Sequence, residues 1–241
     1  MREIIRAKDS GFCFGVKRAI EKTEEQIRLC QGEKIYTWGP LIHNQFVTDQ
    51  LKQEGVEIIQ SLEYASPEDK VIVRSHGESE SFFHEAVKRG ITVVDATCPF
   101  VSKIHRLVKD AYEKGYRIVI VGDRMHPEVQ GISGWCHDSA FIVNTPDEAE
   151  AIEEEHLFIV SQTTYKKENL DEIVQVLKDK NKDCVVNNTI CNATTDRQQG
   201  CVRLAQQCDA MVIVGGKNSS NTRKLFEISK KYCKNSYFIE K

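Results

Sequence analysis

Residues 117–131 read RIVIVGDRMHPEVQG: an aliphatic run, Ile118–Val121, then a polar loop carrying His126, then Pro127 and Glu128 where a helix can begin. A four-residue apolar run followed at once by helix-start residues is a strand handing over to a helix. Strand–helix alternation of this kind builds a parallel sheet. The pattern extends outward in both directions. Upstream, VIVRSHG (71–77) places His76 after a strand, and GPLIHN (39–44) places His43 before a helix. Downstream, FIVSQTT (158–164) ends a strand at Thr163, and MVIVGGKNSSNT (211–222) ends one at Ser219, Ser220 and Asn221. Expected strands are Glu3–Arg6, Lys34–Tyr36, Val56–Ile59, Val71–Val73, Thr92–Val94, Arg117–Val121, Phe141–Val143, Leu157–Val160, Cys184–Val186, Met211–Val214 and Tyr237–Ile239. Expected helices lie near 15–30, 44–54, 79–89, 100–114, 127–136, 166–180, 197–207 and 220–232.

The order of the segments repeats. One block runs from Cys13 through the His43 and His76 loops to DATCP with Cys98. A second runs from Cys98 through the His126 and Thr163 loops to NNTIC with Cys191, and a third starts at Cys191. The cysteines are 85 and 93 residues apart, and His43 and His126 are 83 apart. Loops at the carboxyl ends of parallel strands build sites, so three copies around a pseudo-threefold axis would bring three cysteines to one point. The expected fold is therefore three similar parallel-sheet α/β domains, assigned as 14–97, 98–190, and 191–241 together with 1–13. His76 and Thr163 are 87 residues apart, so a third copy of their loop falls at about residue 250, past Lys241. The third domain is thus expected to be C-terminally shortened, with an unpaired edge or an open apolar face.

Composition narrows the class. The 241 residues carry a formal net charge of −3, which argues against a dedicated nucleic-acid binder. No apolar run approaches bilayer length, and MREIIRAKDS lacks a secretory h-region, so no membrane partner is expected and the location is read as cytoplasmic. Nine cysteines, an odd number without an export signal or any C-x-x-C, speak against a disulfide framework and against local metal-binding spacings.

Cys13 in GFCFG, Cys98 in ATCPF and Cys191 in TICNA each stand between a strand and a helix, where a thiol is expected to have a lowered pKa and to ligate metal. Three thiolates suit a zinc ion with an open position or a 4Fe-4S cluster lacking its fourth protein ligand, and spacing does not choose between them. Cys30, Cys136, Cys184, Cys201, Cys208 and Cys233 read as structural. His84, His105, His137 and His156 read as core or surface residues. His43, His76 and His126, at matching loop positions, read as donors to phosphate oxygens, together with Ser219, Ser220 and Asn221 at a helix start. Glu128 is either a proton source or a first-turn carboxylate stabilising its helix.

Taken together, GFCFGVKRA, GPLIHN, RSHG, DATCPFV, HPEVQG, SQTT, TICNAT..RQ and VGGKNSSNT resemble the 4-hydroxy-3-methylbut-2-enyl diphosphate reductase family, in order from residue 11 to about 226. The resemblance implies a cloverleaf of three α/β domains around a central iron–sulfur cluster, the N-terminal segment completing the third. It assigns Cys13, Cys98 and Cys191 to one 4Fe-4S cluster with an open iron, and His43, His76, His126, Ser219, Ser220 and Asn221 to the substrate diphosphate. Thr163 would contact the allylic hydroxyl, and Glu128, with His126 beside it, would serve proton delivery. The implied reaction is a two-electron, two-proton removal of that hydroxyl, yielding isopentenyl and dimethylallyl diphosphates. Electrons would come from reduced ferredoxin or flavodoxin, since no G-x-G-x-x-G dinucleotide motif is present. The family pattern also includes a later small-residue motif with a diphosphate-binding serine, outside these 241 residues. Rival readings of the same residues are a zinc-dependent phosphate-ester hydrolase and a non-catalytic iron–sulfur or diphosphate-binding protein.

Overall fold

The computed structural model describes residues 3–180 and 183–240. In chain order the elements are α1 (Phe14–Leu29), β1 (Ile35–Trp38), α2 (Gln45–Gln53), β2 (Val56–Ile59), β3 (Lys70–Val73), α3 (Glu80–Lys88), β4 (Thr92–Asp95), α4 (Pro99–Glu113), β5 (Arg117–Val121), α5 (Pro127–Ser133), β6 (Phe141–Val143), α6 (Pro146–Glu150), β7 (His156–Ser161), α7 (Lys167–Lys180), β8 (Asp183–Val186), α8 (Asn192–Ala205), β9 (Met211–Val214), α9 (Ser220–Tyr232) and β10 (Ser236–Ile239). The strands form three sheets, ordered β2-β1-β3-β4, β6-β5-β7-β8 and β10-β9. Every pairing is parallel. The first two sheets share one strand order, and the third reproduces its first two strands. The fold is thus a threefold repeat of parallel-sheet α/β units whose third copy is partial among the described residues. None of the described helices is long and apolar enough to cross a membrane.

The local chemistry explains the elements. In β5 and β7 the central residues Ile118–Val121 and Leu157–Val160 are buried on both faces, as continuous aliphatic runs between two helical layers should be. Helix α4 starts on Pro99, whose missing N–H costs nothing at that position, and buries Val101, Ile104, Val108 and Ala111 at helical spacing. Two core clusters flank the second sheet, one built on Val119, Leu157, Ile159 and α7, the other on Ile104, Ile118, Ile120 and Val160. The first sheet likewise has two. The third has a single cluster, formed where α8 and α9 cover Met211 and Ile213. Its other face leaves Val212, Val214, Tyr237 and Ile239 exposed, so the expected open apolar face is present.

Three expectations change. Glu3–Arg6 forms no strand: Ile4 is 96% exposed, because an isolated extended segment has no ladder to satisfy its backbone. Residues 9–11 are nonetheless tied to α8, where Arg197 donates to the carbonyls of Asp9 and Gly11 at 3.0 and 2.9 Å. Helix α8 starts at Asn192 rather than near 197, directly after Cys191. Helix α6 was not anticipated, although Thr145 and Glu148 form a capping box around Pro146 that is legible in the sequence.

The three sheets meet around a common centre through small residues. A Cβ at Gly134 would overlap Ser79, and one at Gly216 would overlap the His43 carbonyl. Between the second and third sheets, Lys166 pairs with Glu227 at 2.6 Å. Removing core volume should be costly where both layers meet. Ile159→Ala, at a fully buried position, should lower unfolding free energy by about 2–5 kcal/mol in denaturant titration. Val214→Ala, on the open face, should change it by less than about 0.5 kcal/mol.

Candidate active site

The carboxyl ends of the strands deliver all the polar loops to one region. Cys13, Cys98 and Cys191 stand immediately before α1, α4 and α8, and none uses its sulfur to cap its helix. By contrast, α2, α3, α5 and α9 are capped by Asn44, Ser79, His126 and Ser219. The Cys191 sulfur lies 3.0 Å from the Thr194 hydroxyl. The Cys98 amide donates to the Ser75 carbonyl at 3.0 Å, and the Cys191 amide to the Thr163 carbonyl at 3.1 Å. The Cys98 and Cys191 junctions are thereby fastened to a neighbouring histidine or threonine loop. Cations hold the Cys98 junction as well: Arg18 donates to the Thr97 carbonyl at 2.9 Å and Lys22 to that of Asp95 at 2.8 Å.

The thiols sense one another. Burial pushes the Cys98 thiol above its ordinary range, the amides of Phe100 and Val101 pull it down, and negative charge on Cys13 and Cys191 raises it again. The expectation of a lowered thiol pKa at a helix start fails here, because desolvation of Cys98 outweighs the helix terminus. Gly15 leaves room for this cluster; a Cβ there would lie 2.5 Å from the Cys98 sulfur. Three converging thiols that repel as thiolates fit a cationic metal centre, whose charge reverses that repulsion.

Beside them stands a histidine trio. Ring centroids are 4.5 Å apart for His43 and His76, and 5.4 Å for His126 with each. Burial, with help from neighbouring positive charge, lowers all three pKa values: His126 falls to about 4, and His76 lies well below its ordinary value. They are neutral near pH 7. His43 Nε2 and His76 Nδ1 are buried without a hydrogen-bond partner, as is the Asn221 side-chain oxygen. Such orphaned groups are costly unless a ligand satisfies them. One nitrogen from each ring lies within 4.8 Å of the others, a spacing a metal could use. The His126 tautomer argues for an oxyanion instead. Its Nδ1 accepts the Glu128 amide at 3.2 Å, so its proton resides on Nε2, which donates rather than ligates. The nearby positive charges are Arg74, Arg223 and Lys224, each acting electrostatically on the trio.

Glu128 is not an exposed first-turn charge. It is 3% exposed, and its carboxylate accepts the Thr163 amide at 2.6 Å and the Thr163 hydroxyl at 2.8 Å. Burial raises its pKa; the two Thr163 bonds and Lys224 oppose that rise. Thr164 donates to Ser220 Oγ at 2.9 Å, and Gln162 Nε2 reaches Thr164 Oγ1 at 3.0 Å. Ser219 accepts the Thr222 amide at 3.3 Å. The structure thus brings the three histidines together, pairs Glu128 with Thr163, and sets Ser220 against Thr164. Sequence reasoning missed Arg18, Arg197, Gln162, Thr164 and Lys224. Arg18 and Arg197 stand five and six residues after a site cysteine, a regularity that could have flagged them.

A family model described as LytB protein matches residues 4–241. The chain belongs to the LytB family. Among relatives, the 4-hydroxy-3-methylbut-2-enyl diphosphate reductase of Caldanaerobacter subterraneus subsp. tengcongensis is 46% identical over 242 residues, covering 99% of this chain and 84% of that protein. The enzyme of the same name from Clostridium perfringens strain 13 is 46% identical over 241 residues, covering 99% of this chain and 85% of its own. The solved E-1-hydroxy-2-methyl-but-2-enyl-4-diphosphate reductase of Plasmodium falciparum superposes with a TM-score of 0.87 at 30% identity, over 95% of this chain and 79% of that one. A solved (E)-4-hydroxy-3-methyl-but-2-enyl diphosphate reductase, described as the terminal enzyme of the non-mevalonate pathway, gives 0.76 at 43% identity, over 100% of this chain and 86% of that one. The LytB fold therefore accounts for the threefold repeat.

The buried histidines carry a pH signature. His105, stacked on Trp135 at 5.2 Å, and His126 both titrate near about 4 rather than 6.5. Between those values the unfolded chain binds more protons, so stability should fall as pH drops from about 6.5 toward 4. Each histidine contributes at most about 1.4 kcal/mol per pH unit. Glu128, raised by burial, works in the opposite direction. Denaturant midpoints across this range should fall less steeply for His105→Gln and more steeply for Glu128→Gln.

Proposed function

We propose that this chain converts 4-hydroxy-3-methylbut-2-enyl diphosphate to isopentenyl and dimethylallyl diphosphates, as LytB reductases do, with Cys13, Cys98 and Cys191 holding a 4Fe-4S cluster that keeps an open iron. The observation that carries this reading is the juxtaposition of a buried carboxyl–hydroxyl pair, Glu128 and Thr163, with a neutral histidine trio in which His43 Nε2 and His76 Nδ1 lack partners. When bound, such a cluster supplies electrons singly and Lewis acidity. The remaining work falls to the chain. His43, His76 and His126 donate ring N–H groups to diphosphate oxygens, while Ser219, Ser220 and Asn221 add polar groups at the α9 start, where free amides favour anions. Neutral donors in a dry pocket bind an oxyanion strongly because nothing else satisfies them.

Thr163, held by Glu128, points its remaining lone pairs toward the allylic hydroxyl and sets its orientation. Burial keeps the Glu128 carboxyl protonated over a wider pH range than an exposed one, which suits a general acid. One proton leaves with the hydroxyl as water and a second goes to carbon, matching the two electrons delivered. Those electrons arrive from a reduced ferredoxin or flavodoxin. The zinc-dependent hydrolase reading is weakened by the chain's membership of a reductase family.

The anaerobically reconstituted 241-residue chain should turn the diphosphate over with a one-electron chemical reductant. Glu128→Gln should cut turnover by at least ~10²-fold while leaving inorganic diphosphate affinity nearly unchanged. His43→Ala should weaken diphosphate binding by about 10–100-fold, the loss of one charge-assisted hydrogen bond, in calorimetry. Near-native turnover in the Gln variant would move proton delivery elsewhere. For the cluster, Cys13→Ser, Cys98→Ser and Cys191→Ser should each lose bound iron and sulfide by elemental analysis, whereas Cys30→Ser and Cys233→Ser should keep them. Equal loss in both groups overturns the ligand assignment.

A further inference from the structure

His76 lies in the loop between β3 and α3, and Gly77 after it takes a left-handed φ of +76°, so the course of the loop is set by what holds the next residues. The groups that hold them come from the second sheet's unit. The His105 ring on α4 fills the space beside Gly77, where a Cβ would lie 2.4 Å from its Cε1. Gly131 brings α5 against the Gly77–Glu78 peptide; a Cβ there would stand 3.4 Å from the Glu78 nitrogen. Trp135, in the single turn Gly134–Cys136 that follows α5, donates its indole N–H to the Glu78 carbonyl at 3.0 Å. Its ring stacks on His105 at 5.2 Å and 20°, and the Lys109 ammonium lies 5.9 Å from its centre. Of these grips only the indole bond is directional.

We propose that Trp135 is a positioning residue for His76: through the Glu78 carbonyl it fastens the His76 loop to α5 and so sets the spacing between His76 of the first sheet and His126 of the second. The inference rests on reading the histidine trio as diphosphate donors. His126 caps the start of α5 and Trp135 follows its end, so one short helix meets the His76 ring at 5.4 Å through one end and the His76 loop through the other. Arg74 and Glu78, paired at 3.0 Å, close the loop on itself, and a hold on Glu78 is passed to His76 between them. A diphosphate fixes the distances between its oxygens, so donors on two sheets bind it jointly when their separation is set before it arrives. Within the first sheet, the Ser75 amide ties the His76 loop to the His43 loop by donating to the Leu41 carbonyl at 3.3 Å. The indole bond is the counterpart across the seam between sheets.

Trp135→Phe keeps a ring to stack on His105 and removes the donor. Calorimetry with inorganic diphosphate on the 241-residue chain should show affinity weakened about 3–10-fold, the net contribution of one hydrogen bond. The effect should run through His76. In a His76→Ala background the same substitution should change affinity by less than about twofold, whereas in an Asn221→Ala background the loss of about 3–10-fold should remain. In reconstituted enzyme, KM for the diphosphate substrate should rise by a similar factor while kcat falls by less than about twofold. A structural role alone would weaken binding equally with and without His76; that outcome overturns the proposal, as does a folded Trp135→Phe that binds diphosphate like the unmodified chain. Should denaturant titration show the Phe variant unfolded, Trp135→Met, which also lacks the donor, decides. His76→Ala by itself separates the two layers. Unchanged affinity there removes the diphosphate reading of His76 and this inference with it, whereas weakened affinity there beside an unaffected Trp135→Phe overturns this inference alone.

Discussion

The amides of Cys98 and Cys191 donate to the carbonyls of Ser75 and Thr163, and the rest of the centre depends on that pair of backbone bonds. Each ties a thiol-bearing helix start to the end of the strand whose loop carries a histidine or threonine of the site. Backbone groups at this depth must be paired, so the two kinds of loop cannot drift apart without orphaning a buried donor. The consequence is geometric. Parallel strands all end on one side, and each bond continues its own sheet's ladder past the end of a neighbouring strand pair, β3–β4 or β7–β8, so the loops beyond stay side by side. Arg18, Lys22 and Arg197 reinforce the junctions by occupying carbonyls that would otherwise compete for water.

That centre is polar yet poor in matched charge. Its three histidines are kept neutral by burial and by the cations behind them, and its carboxyl group is inclined toward its protonated form by the same desolvation. Two of its ring nitrogens, His43 Nε2 and His76 Nδ1, are buried without partners, so one hydrogen-bonding ligand would satisfy both together. The unpartnered nitrogens belong to rings of the first sheet, while the carboxyl–hydroxyl pair is locked by two bonds of 2.6 and 2.8 Å. Helix α9 meets the loop holding Thr163 with its first two turns, through Ser220 and Lys224.

The smallest residues matter as much as the reactive ones. Gly15 lets the Cys98 sulfur approach α1, and Gly216 lets the third sheet's loop lie against the His43 carbonyl. Neither requirement comes from local conformation, since neither glycine has a left-handed φ; both arise from neighbours distant in sequence. The third sheet shows the reverse situation. Its strands pair correctly and its helices cover one face, yet Val212 and Val214 stay exposed because no described element packs on the other.

By itself the sequence determined all the strands but one expected at Glu3–Arg6, their parallel character and the residues worth watching, because these follow from local rules: aliphatic runs make strands, and capping residues open helices. The recurrence of Cys13, Cys98 and Cys191, and of the histidine loops, was legible for the same reason, since a repeat is a statement about spacing alone. Glu128 had two local readings, and only the tertiary structure chose between them by burying the carboxyl against Thr163. The lowered thiol expected at a helix start was overturned at Cys98 by desolvation, which depends on what surrounds a group and not on the turn that carries it. The strand expected at Glu3–Arg6 failed because pairing is a property of two segments. Gln162 and Lys224 were invisible until folding put α9 beside residues 162–166. Periodicity tells which face of an element is buried, and only packing tells which partner buries it.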